Sequence, residues 1–155
     1  MFQTVLPSPL GPLTLTSDGT VLTGLRLGAD GTEPAELPIF REAARWLDRY
    51  FAGQGPGPTP PLGPTGTPFQ LTVWALLRKI PYGQAVTYGD LARRLQDQGL
   101  RASAQAVGGA VGRNPLLLLI PCHRVLGRGG TLTGYAGGLD AKARLLDLEA
   151  IPYRR

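Results

Sequence analysis

A chain of 155 residues with 43% hydrophobic and 17% charged side chains is long enough for one core or two small domains, and it has no apolar run near the roughly 20 residues that span a membrane. Residues 1–66 carry four arginines and six acids, whereas residues 67–155 carry twelve lysines or arginines and five acids, which indicates either a polyanion-binding second half or an arginine-rich surface kept for solubility. The single cysteine excludes an internal disulfide, and with the single histidine it cannot complete a tetrahedral zinc site without carboxylates.

Short runs rich in threonine, valine and leucine open the chain and predict an antiparallel sheet. The runs cover residues 2–6, 12–16 and 20–27. Asp18-Gly19, between the second and third runs, favours a two-residue hairpin turn. Pro38 then predicts the start of a helix, in which apolar residues recur at helical spacing as far as Phe51. This helix is suited to covering one face of the sheet.

A stretch rich in glycine and proline follows the helix. Eleven of the sixteen residues from Gly53 to Pro68 are glycine or proline, a composition that excludes a helix or a central strand. We therefore predict an N-terminal sheet-plus-helix domain at residues 1–52, a linker at 53–66 and a second domain at 67–155.

The second domain is predicted to be mostly helical. Its first helix has an apolar face that includes Phe69 and Val73, and Tyr82-Gly83 is expected to end it. Thr87 predicts the N-cap of the next helix, with Asp90 forming an approximate capping box. Ser103 predicts the N-cap of another helix over residues 103–112, which completes a helix-turn-helix outline. That helix is built almost entirely of small residues, which suit either a narrow groove or close packing against another helix.

The remaining elements surround the only cysteine. The apolar run Leu116 to Ile120 is predicted to be a buried strand that Pro121 ends in an extended conformation. A loop is expected at Gly127-Arg128-Gly129-Gly130. The last helix is predicted from Leu139 to Ala150.

Cys122 and His123 stand side by side, and this pair is the strongest chemical signal in the chain. An ionised cysteine is a strong nucleophile, and a neighbouring base or positive field ionises it. Adjacent side chains of a strand point to opposite faces, so contact between the two requires a bend or a bridging water. Arg124 is placed to stabilise a thiolate, and Glu149, at a helix end where its charge opposes the dipole, is a candidate to orient His123. An inert buried cysteine and a solvated helix end are the alternatives.

The segments around this pair carry a longer motif. They are Ile120-Pro121-Cys122-His123-Arg124-Val125, Gly134-Tyr135-Ala136-Gly137-Gly138-Leu139, Pro81-Tyr82-Gly83, Thr87-Tyr88-Gly89, Ala106-Val107-Gly108-Gly109-Ala110 and Asn114-Pro115. In content and order they closely resemble the active-site signature and supporting segments of the 6-O-alkylguanine–DNA alkyltransferase (methylated-DNA–protein-cysteine methyltransferase) family. The resemblance covers nearly all of residues 67–150, and the N-terminal half is compatible with it.

The resemblance implies a DNA-repair activity. An alkyl group would pass from the 6-oxygen of guanine to Cys122 in a stoichiometric and irreversible step without a cofactor, and the 4-oxygen of thymine is a second candidate source. The fold implied is α/β (α+β), with a winged helix-turn-helix that binds double-stranded DNA in the minor groove while the damaged base is flipped out of the stack. We expect a monomer, without membrane contact, in the reducing cytoplasm where an unpaired thiol persists.

The resemblance also implies roles for particular residues. His123 would deprotonate the thiol through a water, Glu149 would orient His123, Asn114 would brace the turn, and Tyr88 would push on the extruded nucleotide and donate a proton to guanine. The substrate-binding set is Tyr135, Val125, Ala136 and Lys142. The DNA-binding set is Gln105, Tyr88, Gly89, Arg101, Ala104, Gly108, Arg124 and Arg128.

Two positions depart from the family pattern. Gln105 stands where the family usually has the arginine that fills the gap left by the flipped base, and Ala136 stands where many members have serine. Because glutamine has no charge and stacks less well, we expect weaker base extrusion or an altered lesion preference. Two other functions stay open: a non-catalytic sensor of alkylated bases, which the presence of Cys122 argues against, and a winged-helix transcription regulator, whose second helix would need more base-reading side chains than Gln105.

Overall fold

The computed structural model describes residues 1–155, and the chain divides into two compact units, Met1–Thr65 and Gly66–Arg155. Each unit has its own set of helices and strands. None of the helices combines the length and the apolar character needed to cross a lipid bilayer.

The first unit begins with the predicted antiparallel sheet. Its strands, in spatial order, are β1 (Phe2–Leu6), β2 (Leu13–Ser17) and β3 (Leu22–Leu27). The predicted two-residue hairpin at Asp18-Gly19 is wrong, because Ser17 pairs with Leu22 and leaves a four-residue loop. The Asp18 carboxylate accepts hydrogen bonds from the backbone N–H groups of Thr20 and Val21, at 2.8 and 3.0 Å, and so closes this longer loop.

Helix α1 (Pro38–Phe51) begins at the proline that predicted it. Six of its side chains are buried at helical spacing: Ile39, Phe40, Ala43, Trp46, Leu47 and Tyr50. The rings of Trp46 and Tyr50, one helical turn apart, stack with their centroids 5.5 Å apart. Burial of this apolar stripe holds the helix in the first unit, since a helix of this length is marginal on its own.

The glycine- and proline-rich stretch is packed onto the first unit as far as Thr65. The indole N–H of Trp46 donates to the carbonyl of Gly57 at 3.1 Å. Leu22 of β3 donates to the carbonyl of Pro61 at 2.9 Å, and its own carbonyl accepts from the N–H of Gly63 at 2.8 Å. The segment predicted as a linker therefore runs beside β3 and satisfies backbone groups at the edge of the sheet.

The second unit is mostly helical, as predicted. Its helices and strands are α2 (Pro68–Leu77), β4 (Val86–Thr87), α3 (Tyr88–Asp97), α4 (Ala104–Gly112), β5 (Val125–Leu126) and α5 (Leu139–Leu148). Helix α2 ends at Leu77, earlier than the predicted Tyr82-Gly83. Strands β4 and β5 pair in parallel, and this pairing joins the start of α3 to the chain that follows Cys122.

The predicted caps of α3 and α4 are present. The Thr87 hydroxyl accepts from the N–H of Asp90 at 3.0 Å, and the Asp90 carboxylate accepts from the N–H of Thr87 at 2.9 Å, which is a complete capping box. The Ser103 hydroxyl accepts from the N–H of Ala106 at 3.0 Å. Trp74 of α2, buried beneath α4, donates its indole N–H to the carbonyl of Ala110 at 2.8 Å and fixes that helix in place.

Candidate functional site

The run before the cysteine is a tight buried turn, so the prediction of a strand from Leu116 to Ile120 is wrong. The N–H of Ile120 donates to the carbonyl of Leu116 at 2.9 Å, and Leu118 has a φ of +70°. A left-handed leucine costs on the order of 1 kcal/mol and persists only where its surroundings enforce it. Asn114 does so, since its amide nitrogen donates to the carbonyl of Ile120 at 2.8 Å and its amide oxygen accepts from the N–H of Leu116 at 2.9 Å.

Cys122 begins the 3-10 turn Cys122–Arg124 directly after this segment. Its side chain is 4% exposed. Burial raises the pKa of the thiol to about 11, although the Asn114 side chain and the positive charge of Lys142 both act in the opposite direction. The thiol is therefore protonated at neutral pH, and it needs a base before it can act as a nucleophile.

His123 and Glu149 form a buried acid–base pair. The imidazole Nε2 lies 2.5 Å from Oε2 of Glu149. Burial alone would raise the pKa of Glu149, but its hydrogen bonds to His123, Arg124 and the N–H of Gly83 outweigh burial and bring it to about 2. Because this carboxylate carries no proton, the proton of the contact belongs to Nε2 and the lone pair of the neutral ring lies on Nδ1. Burial lowers the pKa of His123 below its ordinary value of 6.5, so the ring rests as a neutral base.

Arg124 was predicted from the sequence to bind DNA, but it is buried beside His123 and Glu149. Its side chain is 9% exposed. The guanidinium donates to Oε1 and Oε2 of Glu149, at 2.8 and 3.3 Å, and to the carbonyl of Ile80 at 2.8 Å, and it lies 5.7 Å from the ring centroid of Tyr82. Because Arg124 is buried and held by these bonds, it is not placed to contact DNA phosphate. The cation that acts on the thiol is Lys142.

Lys142 is fully buried on α5. Its ammonium donates to the carbonyl of Val125 at 2.7 Å, and longer contacts reach the Thr133 hydroxyl at 3.4 Å and the carbonyl of Gly134 at 3.5 Å. Burial lowers the pKa of Lys142 to about 8. The side chain thus ties the loop at residues 133–134 to β5 and places a positive charge near Cys122.

A cavity of about 400 Å³ opens beside the thiol. Its lining residues are Tyr88, Gly108, Val111, Gly112, Cys122, Gly134, Tyr135 and Ala136. Four of the residues proposed from the sequence are thus brought together around Cys122: Tyr88, Gly108, Tyr135 and Ala136. Val125 is not among the lining residues; its side chain is fully buried, and its carbonyl accepts from Lys142.

The Tyr135 hydroxyl is a buried polar group without a hydrogen-bond partner. Burial raises the pKa of this phenol well above its ordinary value, so it keeps its proton. An unsatisfied buried hydroxyl is costly, which makes this group available to a ligand that enters the cavity.

A wider groove of about 800 Å³ lies on the other side of Tyr88. Its lining residues are Thr87, Tyr88, Gly89, Arg93, Ala104, Gln105, Gly108, Arg128, Gly129 and Thr133. Most of the DNA-binding residues proposed from the sequence therefore share one surface, and Arg101, although exposed, is not part of the lining. Tyr88 lines both the groove and the cavity, and its hydroxyl lies 3.1 Å from that of Thr133.

The small residues of α4 are not explained by packing alone. A Cβ atom added at Gly109 or Gly112 would meet nothing within 4 Å, and one added at Gly108 would meet the Tyr88 ring at 3.7 Å. Close packing of α4 is instead carried by the buried side chains Val107, Ala110 and Val111. Of the two explanations left open by the sequence, an outward face kept free of bulk fits these glycines better than helix–helix contact.

Several residues of the site were not predicted from the sequence. Gly83, whose N–H donates to Oε1 of Glu149 at 3.0 Å, was noted as a family segment without a role. Thr133 stands one residue before the recognised motif at Gly134, and that proximity was the available signal. Arg93 shares the helix of Tyr88, one turn further along. No group of three or more histidine, cysteine, aspartate or glutamate side chains is placed to hold a metal ion.

Both units match one protein family. Residues 68–151 match the family described as 6-O-methylguanine DNA methyltransferase, DNA binding domain, and residues 1–58 match 6-O-methylguanine DNA methyltransferase, ribonuclease-like domain. A methylated-DNA–protein-cysteine methyltransferase from Haemophilus influenzae is 44% identical over 161 residues, covering 99% of this chain and 88% of that protein. A protein of the same name from Methanosarcina acetivorans is 42% identical, covering 96% of this chain and 98% of its own.

Solved structures agree with these sequence matches. The crystal structure of Mycobacterium tuberculosis OGT in complex with DNA superposes with a TM-score of 0.86 at 41% identity, covering 96% of this chain and 92% of that chain. The crystal structure of the Mycobacterium tuberculosis O6-methylguanine methyltransferase superposes with a TM-score of 0.83 at the same identity and coverage.

Proposed function

The chain belongs to the 6-O-methylguanine DNA methyltransferase family, and from this premise we propose that Cys122 accepts the alkyl group of guanine alkylated at its 6-oxygen in double-stranded DNA. The protein repairs DNA as a methylated-DNA–protein-cysteine methyltransferase. One observation carries the assignment of the acceptor: Cys122 is the only cysteine of the chain, and it forms a wall of the cavity.

The chemical step is a direct displacement at carbon. The Cys122 sulfur attacks the alkyl carbon, a carbon–sulfur bond forms, and the bond from that carbon to the guanine oxygen breaks. The electron pair of the broken bond stays on guanine. Guanine then takes a proton from the Tyr88 hydroxyl and becomes the unmodified base. The thioether on Cys122 has no leaving group that water displaces, so each molecule reacts once.

Proton removal from Cys122 is assigned to His123. A thiol with a pKa of about 11 is almost entirely protonated at neutral pH, so transfer requires a base. The lone pair on Nδ1 of His123 would take the proton through one bridging water, as the resemblance implied. Glu149 then stabilises the imidazolium that forms, and Lys142 faces the thiolate with its positive charge.

The cavity is the proposed site for the flipped base. Pockets that bind small molecules begin at about 300 Å³, so a cavity of about 400 Å³ suits a purine with a small alkyl group. The Tyr135 hydroxyl would find its missing partner on the base, and the backbone at Cys122 and Ala136 would bind the base edge. Tyr88, which lines both cavity and groove, would push the nucleotide inward and then donate the proton to guanine.

The groove is the proposed DNA interface. The outer face of α4 carries glycine and alanine where bulky side chains would not fit a minor groove about 6 Å wide. Gln105 would occupy the gap left by the extruded base, and Arg128 would contact phosphate. As the resemblance implied, the proposed acting form is a monomer that works on chromosomal DNA in the cytoplasm, and the unpaired thiol supports this reducing location.

The test is a transfer assay read by mass. The protein is incubated with an excess of a duplex oligonucleotide carrying one 6-O-methylguanine, digested with trypsin, and the peptide from Asn114 to Arg124 is weighed. We expect the mass of one methylene to be added to this peptide in every molecule, and none to be added in Cys122→Ala. The variant should still bind the same duplex, since it lacks only the acceptor.

Three results would contradict the proposal. An unmodified peptide despite tight binding to lesion DNA would select the sensor function. Binding that ignores the lesion but depends on the surrounding base sequence would select the transcription regulator. Repeated turnover by one molecule would exclude a thioether end product.

A further inference from the structure

The Arg124 guanidinium is held by contacts with three other residues of the chain. Its Nη1 donates to the carbonyl of Ile80 at 2.8 Å, its Nε and Nη2 donate to the two oxygens of Glu149, and its charged group lies over the Tyr82 ring. The segment from Ile80 to Gly83, which links α2 to β4, therefore fixes the guanidinium from one side. On the other side the guanidinium meets the carboxylate that contacts His123.

The Glu149 carboxylate is saturated as a hydrogen-bond acceptor. Oε1 accepts from Nε of Arg124 at 2.8 Å and from the N–H of Gly83 at 3.0 Å. Oε2 accepts from His123 at 2.5 Å and from Nη2 of Arg124 at 3.3 Å. A carboxylate has about four lone-pair directions, and all four are used here, so it cannot rotate away from the imidazole. Two of the four bonds come from Nε and Nη2 of Arg124. These two donors form a planar fork whose geometry matches a carboxylate.

Arg124 also balances the charge of Glu149. An unbalanced buried carboxylate beside an imidazole favours the imidazolium, and an imidazolium cannot accept a proton. A cation on the far side of the carboxylate reduces this pull. Geometry thus orients the ring, and the Arg124 charge adds to burial, the larger cause, in keeping it neutral.

We propose that Arg124 is a positioning residue for alkyl transfer: it clamps Glu149 in the orientation that fixes His123, and it keeps His123 unprotonated until Cys122 gives up its proton. The inference rests on the proposed function of His123 as the base. It replaces the DNA-binding role suggested by the sequence, and it gives the Pro81-Tyr82-Gly83 segment a purpose, which is to hold the clamp.

The other charged and titratable groups around His123 act in known directions. Glu149, the C-cap of α5, favours the protonated ring, whereas Lys142 on the same helix opposes it, as Arg124 does. Cys122, the neighbour in the 3-10 turn, is neutral before transfer. Tyr82, whose pKa is raised by burial and by Glu149, is also neutral. Arg124 thus both contacts Glu149 and opposes protonation of His123.

The experiment uses the fact that His123 is the only histidine of the chain. The ¹⁵N shifts of its two ring nitrogens are followed against pH in the full-length, unalkylated protein. They show which ring nitrogen carries the proton and give the pH midpoint of the His123 titration. The variants are Arg124→Gln, which removes the charge, and Arg124→Lys, which keeps the charge but loses the fork. Thermal melting of each variant checks that it folds, and single-turnover methyl transfer is measured over the same pH range.

In the parent we expect a neutral ring protonated on Nε2 near pH 7. In Arg124→Gln the midpoint should rise by about one pH unit, because a cation that opposed protonation is gone, and the acid limb of the transfer rate should move upward with it. In Arg124→Lys the midpoint should stay at the parental value while transfer slows roughly tenfold at every pH, since the carboxylate is held less firmly.

Identical titration curves for the parent and Arg124→Gln would overturn the proposal, as would a uniform loss of rate without any shift of the acid limb, which is the result of a merely structural role. Should Arg124→Gln fail to fold, Arg124→Lys decides alone: parental transfer rates would show that the fork is not needed. The ring titration does not depend on alkyl transfer. A failure of the proposed function, with Cys122 never alkylated, is therefore distinguishable from a failure of this inference.

Discussion

Two neighbouring regions of the second unit use charged side chains in opposite ways. Around Cys122, the residues His123, Arg124, Lys142 and Glu149 are each at most 7% exposed, and their charged or polar groups are hydrogen-bonded inside the protein. In the groove beside it, Arg93, Gln105 and Arg128 are exposed, and the contact of Arg93 with Asp90 is a surface ion pair. The two regions meet at Tyr88.

The two regions differ because the charges around Cys122 are buried and those of the groove are exposed to solvent. A buried charge must be matched by a partner or it shifts its pKa, so every substitution in the buried group should change chemistry and stability together. An exposed charge is screened by salt and adds a small, separable amount to binding. The comparison predicts large, pH-dependent effects on transfer in the first region and modest, salt-dependent effects on binding in the second.

The largest effect is expected for Glu149→Gln. The amide cannot stabilise the imidazolium, and Arg124 loses its counter-ion, so transfer should slow by roughly a hundredfold or more and the free energy of unfolding should fall by about 3–5 kcal/mol. A rapid-quench assay measures the transfer rate, and urea unfolding measures the free energy of unfolding. The control is Asp147→Asn, an exposed acid on the same helix, which should behave as the parent. Transfer within tenfold of the parent would break the distinction between the two regions.

Lys142→Met should change chemistry and stability in opposite directions. The folded-state pKa of Lys142, about 8, lies below its ordinary value of 10.5, so burial of the charged form costs stability at neutral pH and this cost disappears as pH rises from 8 to 10.5. Removal of the charge should therefore raise the free energy of unfolding by about 2 kcal/mol at pH 7 and by nothing at pH 10.5. Transfer should slow about tenfold, because the thiolate loses its cation.

Urea unfolding of parent and Lys142→Met, compared at each pH, tests this prediction. An advantage of the variant that is the same at pH 7 and pH 10 would show that packing, and not charge, is responsible.

Arg128→Gln should weaken DNA binding severalfold, with a transfer rate at saturating DNA equal to that of the parent. Loss of one phosphate contact should reduce the slope of log affinity against log salt by about one. Fluorescence anisotropy at several salt concentrations measures both quantities. Arg45→Gln, an exposed arginine of α1, is the matched control. An unchanged salt slope would remove Arg128 from the interface.

The smallest change is expected for Gln105→Arg. An added cation in the groove should strengthen binding to lesion DNA about threefold and speed base extrusion by a similar factor, since arginine fills and stacks in a gap better than glutamine. Gln98→Arg, at the exposed end of α3 and not part of the groove lining, controls for added charge. Equal gains in both variants would assign the effect to net charge alone.

Local signals in the sequence predicted much of the fold and several residues of the candidate site. Pro38 marked the start of α1, and Thr87 and Ser103 marked the caps of α3 and α4, because helix ends depend on residues a few positions apart. The small residues of the 103–112 segment and the Cys122–His123 pair also lie in short stretches. A nucleophile with a base beside it was therefore visible without coordinates.

The remaining features depend on residues far apart in the chain. Five apolar residues from Leu116 to Ile120 fit a buried strand as well as a buried turn, and only the position of the Asn114 side chain decides between them. Arg124 is an ordinary basic residue in the sequence, and its burial depends on Ile80 and Glu149, which lie 44 and 25 positions away. No local pattern encodes such a contact.

The hydrogen bond from Trp74 to the carbonyl of Ala110 makes Trp74 fluorescence a means of following DNA binding. The chain has two tryptophans, Trp46 in the first unit and Trp74 beneath the helix proposed to enter DNA. Indole emission responds to the polarity and hydrogen bonding around the ring, so any displacement of α4 when DNA binds would alter the Trp74 signal while Trp46 serves as an internal reference. In a Trp46→Phe variant the remaining indole becomes a label-free optical reporter of groove occupancy, already built into the fold.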